Sequence, residues 1–475
     1  MVCQPIARRG QNYKMLYFLN FSKSLMKISN IATIFSAATL LLSFQVGRVE
    51  SVTNRIPSFE QLCQQKSTLS AESQKTIAAL LETANTPNCK LANQTLQKLT
   101  SLSLEGKEIS DVKAIASFKN LTEINLRGNG IIDIQPLSEL TKLEKLSLGL
   151  NQIQDVRSLS SLKNLQVLDV EYNQIQDVRA LSSLPNLRGL NLENNKVNPQ
   201  TLSTLTQLEV LNLSSNQLGD NLKPIANLKN LQFLELSGNR ISDLTPLAKL
   251  TNLNTLHLYV NQIVDLQPLS NLTQLRELYL TRNRIEDIKP LAKLTKITEL
   301  WIDDNQISSI QTLSKLQELN YLQLSNNQIS NLQPLTNLRE LTNLWVPENQ
   351  VVDLTPISKL TKLIDLRVFN NKIIDIKPLS NLRSLETLFL DKNQIIDIKP
   401  LEKLSKLTEL GLGNNKIVNI NLIANLSNLT SLNVSNNQIK DHQPLSKLTK
   451  LKILWLTTSE ACPVKPEMIC WNVGL

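Results

Sequence analysis

The sequence predicts an α/β repeat solenoid in which every repeat adds one short strand to a long parallel sheet. Asparagine recurs every 22 residues, aliphatic residues keep fixed places between the asparagines, and a repeat of this length has no room for a long helix after its strand. Two steps depart from the period, one of 21 and one of 23 residues, on either side of Asn216. The recurring residues are Asn129, Asn151, Asn173, Asn195, Asn216, Asn239, Asn261, Asn283, Asn305, Asn327, Asn349, Asn371, Asn393, Asn415 and Asn437.

One repeat, beginning at Leu275, reads LRELYLTRNRIEDIKPLAKLTK. Aliphatic residues occupy its positions 1, 4, 6, 11, 14, 17 and 20, and asparagine occupies position 9. The alternating x-L-x-L-x segment predicts a short strand on a concave parallel sheet. The asparagine predicts a sharp turn in which its amide bonds to the backbone of adjacent turns. Aspartate at position 13 and proline at position 16 predict a capped 3₁₀ or extended return leg on the convex side.

Sixteen such repeats and a partial one fill residues 99–456, and the flanking segments do not follow the pattern. We expect both flanks to cover the apolar ends of the array. In residues 52–98, Ser70 predicts the start of a helix over 71–84, and a second short helix is expected over 90–98. This segment is therefore predicted to be a helical N-terminal cap, and residues 457–475 a short C-terminal cap.

Cysteines occur as two close pairs, one before and one after the repeats. No histidine accompanies them, so disulfides are a better interpretation than a metal site. We predict disulfides between Cys63 and Cys89 and between Cys462 and Cys470, and no metal or cofactor. The alternative is four unpaired thiols in a cytosolic protein.

Residues 1–51 predict a secretory signal peptide. Two lysines precede an apolar stretch over 28–46, and small residues up to Ser51 fit a cleavage site. The stretch is just short of the roughly 20 apolar residues that a membrane span needs, which favours cleavage over an uncleaved anchor. We therefore expect a secreted, periplasmic or cell-surface protein. Three starts remain open: Met1, Met15 and Met26.

The formal charge of +9 is unevenly distributed, because residues 1–51 hold six basic residues and one acidic residue. The remainder holds 44 basic and 40 acidic residues, without a basic run interleaved with aromatics. This balance argues against nucleic-acid binding. With two histidines and no nucleophile or metal set placed around either, the sequence also predicts no catalytic site.

Repeat positions 3, 5, 7 and 8 are expected to face outward on the concave surface. They hold ten of the twelve aromatic residues from Leu99 onward, together with fourteen acids and five bases. Because aliphatics already fill the core positions, we expect the aromatics to be exposed anchors for a protein partner that carries Lys or Arg near apolar groups. The alternative is cross-strand stacking that stiffens the sheet. The candidate partner-binding residues are Phe233, His257, Tyr259, Tyr279, Trp301, Tyr321, Trp345, Arg367, Phe369 and Phe389.

The pattern L-x-x-L-x-L-x-x-N-x-I-x-D-I-x-P-L-x-x-L-T-x over residues 99–456 resembles the leucine-rich repeats of bacterial internalins. The resemblance implies non-catalytic recognition of a protein partner. A glycan-binding surface protein is the main alternative. Intracellular phosphatase-regulator proteins have nearly the same repeat, so an intracellular adaptor is a further alternative.

Overall fold

The computed structural model describes residues 57–457 and the backbone of Cys470–Val473. The predicted signal peptide, the predicted Cys462–Cys470 disulfide and most of the predicted C-terminal cap lie outside the described residues. The chain divides into two compact units. The first comprises the described residues up to Asn216 together with Asn227–Glu235, and the second comprises Gln217–Ala226 and the described residues from Leu236 onward.

Three α-helices precede the repeats: α1 (Phe59–Gln64), α2 (Ala71–Thr83) and α3 (Cys89–Leu96). Ser70 caps α2, as expected, because its hydroxyl accepts the backbone N–H of the third helical residue. Asn88 caps α3 in the same way, so this helix begins one residue earlier than expected and ends two residues earlier. Helix α1 was not predicted, because six residues are too few to show a helical period.

The helices are joined to each other and to the first repeat. A disulfide between Cys63 and Cys89 links α1 to α3, with a Cα–Cα distance of 5.7 Å. The ring of Phe59 packs 5.5 Å from that of Phe118. Lys107, which stands where the first repeat lacks its asparagine, lies 2.8 Å from a carboxylate oxygen of Glu82 on α2. The helices thus lie against the apolar end of the first repeat.

In the first unit, seven strands pair in parallel and in chain order, each residue opposite its equivalent in the next repeat. They are β1 (Ser101–Ser103), β2 (Glu123–Asn125), β3 (Lys145–Ser147), β4 (Val167–Asp169), β5 (Gly189–Asn191), β6 (Val210–Asn212) and β7 (Phe233–Glu235).

In the second unit, the remaining strands also pair in parallel and in chain order. They are β8 (Thr255–His257), β9 (Glu277–Tyr279), β10 (Glu299–Trp301), β11 (Tyr321–Gln323), β12 (Asn343–Trp345), β13 (Asp365–Arg367), β14 (Thr387–Phe389), β15 (Glu409–Gly411), β16 (Ser431–Asn433), β17 (Ile453–Thr457) and β18 (Cys470–Val473).

The return legs are short 3₁₀ turns, and in most repeats an aspartate at position 13 accepts the first backbone N–H of the turn. The Oδ1 atom of Asp287, for example, accepts the backbone N–H of Lys289 at 2.8 Å, at the start of the turn. The 3₁₀ turns of the return legs are Lys113–Ser117, Gln135–Glu139, Arg157–Ser161, Arg179–Ser183, Pro199–Leu202, Lys223–Asn227, Thr245–Lys249, Gln267–Leu269, Lys289–Lys293, Gln311–Lys315, Gln333–Leu335, Thr355–Ile357, Lys377–Asn381, Lys399–Lys403, Asn421–Asn425 and Gln443–Lys447. A further 3₁₀ turn, Lys66–Thr68, lies between α1 and α2.

The core consists of the predicted aliphatic positions. In the repeat that begins at Leu275, residues Leu278, Leu280, Ile285 and Ile288 retain at most 1% of their exposure. Aliphatic burial, parallel strands and 3₁₀ return legs together confirm the predicted solenoid fold.

Each recurring asparagine at position 9 connects two repeats through three backbone groups. The Nδ2 atom of Asn283 donates to the carbonyl of Leu280 in its own repeat at 2.9 Å and to that of Leu258 in the preceding repeat at 3.0 Å. Its Oδ1 atom accepts the N–H of Ile263, also in the preceding repeat, at 3.0 Å. The same pattern recurs along the array, so each asparagine satisfies backbone groups that water does not reach.

Position 8 adopts a left-handed backbone conformation in all sixteen repeats, a requirement that the sequence analysis missed. Glycine fills it in three of them, and asparagine, which tolerates this region, fills it in several others. Val260 has a φ of 56° there, which is unfavourable for a β-branched residue. Its N–H donates to the Thr281 carbonyl at 2.9 Å, so pairing with the next repeat holds this conformation in place.

The substitution Asn283→Ala is expected to destabilise the chain by about 2–4 kcal/mol, because it leaves the Leu258 and Leu280 carbonyls and the Ile263 N–H buried without their partner. Asn283→Asp keeps the acceptor but loses both donors, so it should be at least as damaging. The measurement is the urea midpoint of unfolding, with the exposed Asn271→Ala as control. Equal midpoints for the Asn283 and Asn271 variants would contradict this role.

Candidate functional site

One column of large side chains crosses the sheet face of the second unit, and we call it the aromatic ladder. The sheet face is formed by the side chains at repeat positions 3, 5, 7 and 8, opposite to the core. In-register pairing sets equivalent positions side by side, for example Tyr279 beside Trp301. Adjacent strands are about 4.8 Å apart, so large side chains in one column touch. The ladder consists of His257, Tyr279, Trp301, Tyr321, Trp345, Arg367 and Phe389.

Ring contacts are continuous along the first five members of the ladder. Ring centroids lie 4.3 Å apart between His257 and Tyr279, and 4.8 Å apart between Tyr279 and Trp301. The centroid of Tyr321 lies 5.7 Å from that of Trp301 and 5.7 Å from that of Trp345. Pairs at these distances attract by about 0.5–1.5 kcal/mol each beyond the burial of their area.

Tyr321 lies between the two tryptophans, although position 5 of its repeat is not aromatic. Position 5 of its repeat is Gln323, which pairs with Trp301 on one side and Trp345 on the other. Gln323 is buried, and its Nε2 donates to the hydroxyl of Tyr321 at 3.1 Å. The tyrosine, although at position 3, therefore bridges the two tryptophans diagonally.

A cation completes the far end of the ladder. The guanidinium carbon of Arg367 lies 4.0 Å from the ring centroid of Trp345 and 5.3 Å from that of Phe389. Its Nε and Nη2 atoms donate to the carboxylate of Asp365 at 3.0 and 2.9 Å. Cation–π attraction and the two-pronged ion pair together fix the plane of the guanidinium.

The expectation that the ladder is exposed is wrong for its first half. His257, Tyr279 and Trp301 retain only 2%, 6% and 8% of their exposure, because neighbours in the column cover them. Phe233 lies on β7 in the first unit, is 5% exposed and does not form part of the ladder as defined. Half-buried side chains, which keep surface for a partner, are those of Tyr259, Tyr321, Trp345, Arg367, Phe369 and Phe389.

Glu299 is bonded to the buried half of the ladder. Its Oε1 accepts the Nε1–H of Trp301 at 2.9 Å, and its carboxylate also accepts the hydroxyl of Tyr279. Burial raises the pKa of Glu299 above its usual range. Burial also raises the pKa of Tyr279, with the charges of Glu299 and Glu277 adding to the effect. The tyrosine stays protonated and donates.

Two further carboxylates lie beside the ladder at position 7. Burial raises the pKa of Asp303 to about 6, although its oxygens accept bonds from the Ser325 N–H at 2.9 Å and the Thr281 hydroxyl at 3.2 Å. Burial likewise raises the pKa of Asp391 to about 6. Hydrogen bonds offset only part of the effect of burial on these two carboxylates. Both are charged at neutral pH and make the sheet face acidic.

Glycines at positions 5 and 7 of one repeat let side chains cross over it, a signal that the sequence analysis overlooked. The carboxylate of Asp391 accepts the Gly413 N–H at 2.8 Å and the Nδ2–H of Asn433, two repeats away, at 2.7 Å. A Cβ atom on Gly411 would collide with Asp391 and would lie 2.5 Å from the ring of Phe389.

On the sheet face of the first unit, Arg127 crosses over Gly149 in the same manner. Its Nη1 contacts the carboxylate of Glu171 and lies 3.8 Å from that of Asp169. Burial, and then the charge of Glu171, raise the pKa of both Asp169 and Glu193. This acidic cluster is stabilised by Arg127 and by glycine at the crossing point.

The arrangement offers ring faces, a guanidinium and carboxylates for recognition. Two of its polar groups are bonded to a neighbouring carboxylate, in the pairs Trp301–Glu299 and Arg367–Asp365. Over residues 57–457, no group of three or more His, Cys, Asp or Glu side chains is arranged to hold a metal ion.

A sequence family described as "Leucine Rich repeats (2 copies)" matches more than half of the chain. The matched segments are residues 119–161, 141–183, 163–207, 206–249, 251–293, 295–337, 383–425 and 427–463. The chain belongs to the leucine-rich repeat family. Leucine-rich repeat folds commonly mediate protein–protein interaction and are generally non-catalytic binding scaffolds.

Solved structures of this family resemble the chain. A leucine-rich repeat protein of Leptospira interrogans is 28% identical, with a TM-score of 0.61, over 76% of this chain and 91% of that one. The ectodomain of the Arabidopsis thaliana receptor kinase GASSHO1/SCHENGEN3, solved in complex with CASPARIAN STRIP INTEGRITY FACTOR 2, is 25% identical, with a TM-score of 0.60, over 77% of this chain and 51% of that one.

The functional domain of InlJ from Listeria monocytogenes, an internalin, is 22% identical, with a TM-score of 0.56, over 76% of this chain and 74% of that one. This likeness shows the fold, and the predicted internalin-like leucine-rich repeat architecture is confirmed. No curated protein sequence matches the chain. Among the described residues, no helix has the length and apolarity to cross a membrane.

Trp301→Ala is expected to destabilise this leucine-rich repeat protein by about 2–4 kcal/mol, because it removes two ring contacts and the donor to Glu299 from a buried site. Trp301→Phe keeps a ring and should lose about half as much. Trp345→Ala is the comparison, since this tryptophan is half-buried and its Nε1 has no hydrogen-bond partner within residues 57–457. The urea midpoint of Trp301→Ala should be lower than that of Trp345→Ala. The reverse order would contradict the larger contribution of the buried tryptophan to stability.

The substitution Asp303→Asn should stabilise the folded state at neutral pH and not in acid. The folded-state pKa of about 6 lies above the ordinary value of 3.8, so the charged carboxylate destabilises the folded state. This destabilisation is complete above pH about 6. As pH falls from about 6 to about 4, protonation removes that penalty. We expect a gain of about 2 kcal/mol at pH about 7.5 and almost none at pH about 4.

The test of Asp303 is the difference in urea midpoint between wild type and variant at the two pH values. Asp133→Asn is the control, because this exposed aspartate caps a turn and asparagine caps equally well. A gain from Asp303→Asn that is the same at both pH values would show that burial of charge is not its cause.

Proposed function

We propose that the chain is a non-catalytic, secreted or cell-surface leucine-rich repeat protein that binds a protein partner through the half-buried part of the aromatic ladder. The observation that carries the proposal is the continuity of the ladder. Four ring or cation–π contacts run from Trp301 to Phe389 without a break, which fixes the half-buried side chains in one orientation. Rigid aromatic and arginine side chains are the usual anchors of protein interfaces.

The composition of the ladder assigns a role to each half. The buried half, His257 to Trp301, stabilises the sheet face, as cross-strand aromatic pairs do. The other half is supported by it and keeps accessible ring surface. Because the supporting residues are already ordered, a partner does not have to immobilise them on binding, which lowers the entropic cost of association.

The carboxylates favour a basic partner. Asp303 is buried and Asp391 is half-buried beside the ladder, and burial raises the pKa of each, so their charge opposes folding at neutral pH. A lysine or arginine of a partner would offset that cost by pairing with them. We therefore expect a partner surface in which basic residues flank apolar ones.

Three observations support an extracellular location. The disulfide between Cys63 and Cys89 is typical of oxidising compartments. The N-terminal sequence has the features of a signal peptide. The structural relatives include an internalin and a plant receptor ectodomain, and the latter was solved in complex with CASPARIAN STRIP INTEGRITY FACTOR 2.

A glycan ligand is less favoured by the geometry. Sugar rings stack on open aromatic faces, and Arg367 covers Trp345 at 4.0 Å. The remaining half-buried rings contact each other at 5.7 Å, as Tyr321 and Trp345 do. An intracellular adaptor would not need the signal-like segment or the disulfide.

The decisive experiment compares ladder variants with a matched aromatic outside the ladder. Trp345→Ala and Phe389→Ala should each weaken binding to a captured protein partner by at least about tenfold, which corresponds to about 1.4 kcal/mol. Tyr172 is a half-buried aromatic residue at position 8 of a repeat in the first unit. Tyr172→Ala should change the affinity less than about twofold. Affinity is measured by surface plasmon resonance on variants whose thermal unfolding matches wild type.

A parallel glycan array separates the two ligand classes. Saturable sugar binding that Trp345→Ala abolishes, without any protein partner, would replace the protein proposal by the glycan one. Unchanged affinity of Trp345→Ala/Phe389→Ala for every captured partner, with the fold intact, would remove the ladder as the binding site.

A further inference from the structure

Four consecutive repeats of the second unit expose an aliphatic residue at position 12, and we call this set the aliphatic row. The position is polar in the repeats that precede and follow, where it is Ser308, Ser330 and Lys440. The row therefore begins and ends abruptly. It consists of Val352, Ile374, Ile396 and Val418, which are 52%, 53%, 57% and 42% exposed.

The four side chains form one continuous strip. At position 10, the N–H of Lys372 donates to the Val351 carbonyl of the preceding repeat, and the N–H of Lys416 donates to the Ile395 carbonyl, both at 2.9 Å. These bonds hold the segments around position 12 side by side, at the spacing of about 4.8 Å between neighbouring strands. Three such steps give a row about 14 Å long.

Packing of the core does not account for the row. Positions 11 and 14, on either side of it, are already buried: Ile373 and Ile376 retain 0% and 1% of their exposure. The row follows the asparagine turn, so it also lies apart from the sheet face. Isolated exposed aliphatic residues are ordinary, but a contiguous strip marks an interaction surface.

Opposite charges flank the row on its two sides. Position 10 precedes it on the chain and carries the exposed Lys372 and Lys416. Position 13 follows it and carries Asp353, Asp375 and Asp397, each of which is held by accepting a backbone N–H at 2.7 or 2.8 Å. Two exposed lysines at position 15 lie beyond the aspartates, so the acidic edge is narrow. Immediately beside the row, the surface changes from positive to apolar to negative.

We propose that the aliphatic row is a self-association surface and that its occupant is the same row of a second copy of the chain. The charge pattern selects the geometry. A two-fold axis parallel to the row sets the lysine side of each copy against the aspartate side of the other. A two-fold axis that crosses the row in the plane of the interface would set aspartates against aspartates, which is repulsive.

The dimer is weak and reversible. The strip exposes a few hundred Å² of aliphatic surface, below the size of a permanent interface. We expect a dissociation constant of about 10–100 µM, raised by salt because the flanking ion pairs are at the rim. This surface is separate from the aromatic ladder, so the inference does not depend on the proposed function.

The test is sedimentation equilibrium of the full chain from about 1 to about 300 µM. Wild type should fit a monomer–dimer equilibrium. Ile374→Lys/Ile396→Lys should weaken it by at least about tenfold without lowering the thermal midpoint, because both side chains are exposed. Val264→Lys is the matched control: it is 56% exposed at position 12, but its neighbours there are the polar Ser242 and Glu286.

The geometry has its own test. Lys372→Asp and Asp375→Lys should each weaken the dimer several-fold, and the double exchange should restore it, because it re-creates opposite charges across a parallel two-fold axis. Failure of the double exchange to restore association would overturn the parallel arrangement.

Three results would overturn self-association through the row. They are a monomer at about 300 µM, a dimer insensitive to Ile374→Lys/Ile396→Lys, and a dimer weakened equally by Val264→Lys. A monomer that co-sediments with phosphatidylcholine–phosphatidylserine vesicles, and stops doing so in Ile374→Lys/Ile396→Lys, would assign the row to a lipid surface instead.

Discussion

The side-chain amide of the recurring asparagine is the interaction on which the other features depend. Strands of three residues followed by a sharp turn leave backbone donors and acceptors inside the array where water cannot reach them. Asn283 satisfies three of these groups, two of them in the preceding repeat. Because the bonds join one repeat to the next, they fix the spacing, and the spacing fixes which side chains are neighbours on the sheet face.

Sequence periodicity was sufficient to predict the strands, the core positions and the capped 3₁₀ return legs, because each depends on residues within one repeat. The left-handed backbone at position 8 was missed. It is filled by Leu150, Tyr172 and Val260 as well as by glycine and asparagine, so no residue type reveals it. The turn geometry requires this conformation, and bonds to the next repeat hold unfavourable residues in it.

Burial on the sheet face could not be predicted from position within the repeat. Trp301 and Trp345 share position 5, yet the first is buried and the second half-buried. The difference arises from lateral neighbours: Tyr279 and Tyr321 lie against Trp301, whereas Arg367 and Tyr321 lie against Trp345. Such contacts join residues 20 or more positions apart. Long side chains also reach diagonally or across a glycine to the next repeat, and an alignment of the repeats does not show these contacts.

Two surfaces of the second unit therefore have different physical character. The aromatic ladder and its carboxylates are rigid and acidic, which suits specific recognition, whereas the aliphatic row is small and self-complementary in charge, which suits weak association. A dimer formed through the row would leave both ladders accessible and place them on one particle. For a partner that presents several copies on a surface, the second contact would then be intramolecular, and avidity would exceed the affinity of a single ladder by orders of magnitude. Weak self-association is sufficient for this effect, because binding of the first ladder already concentrates the chain at the surface.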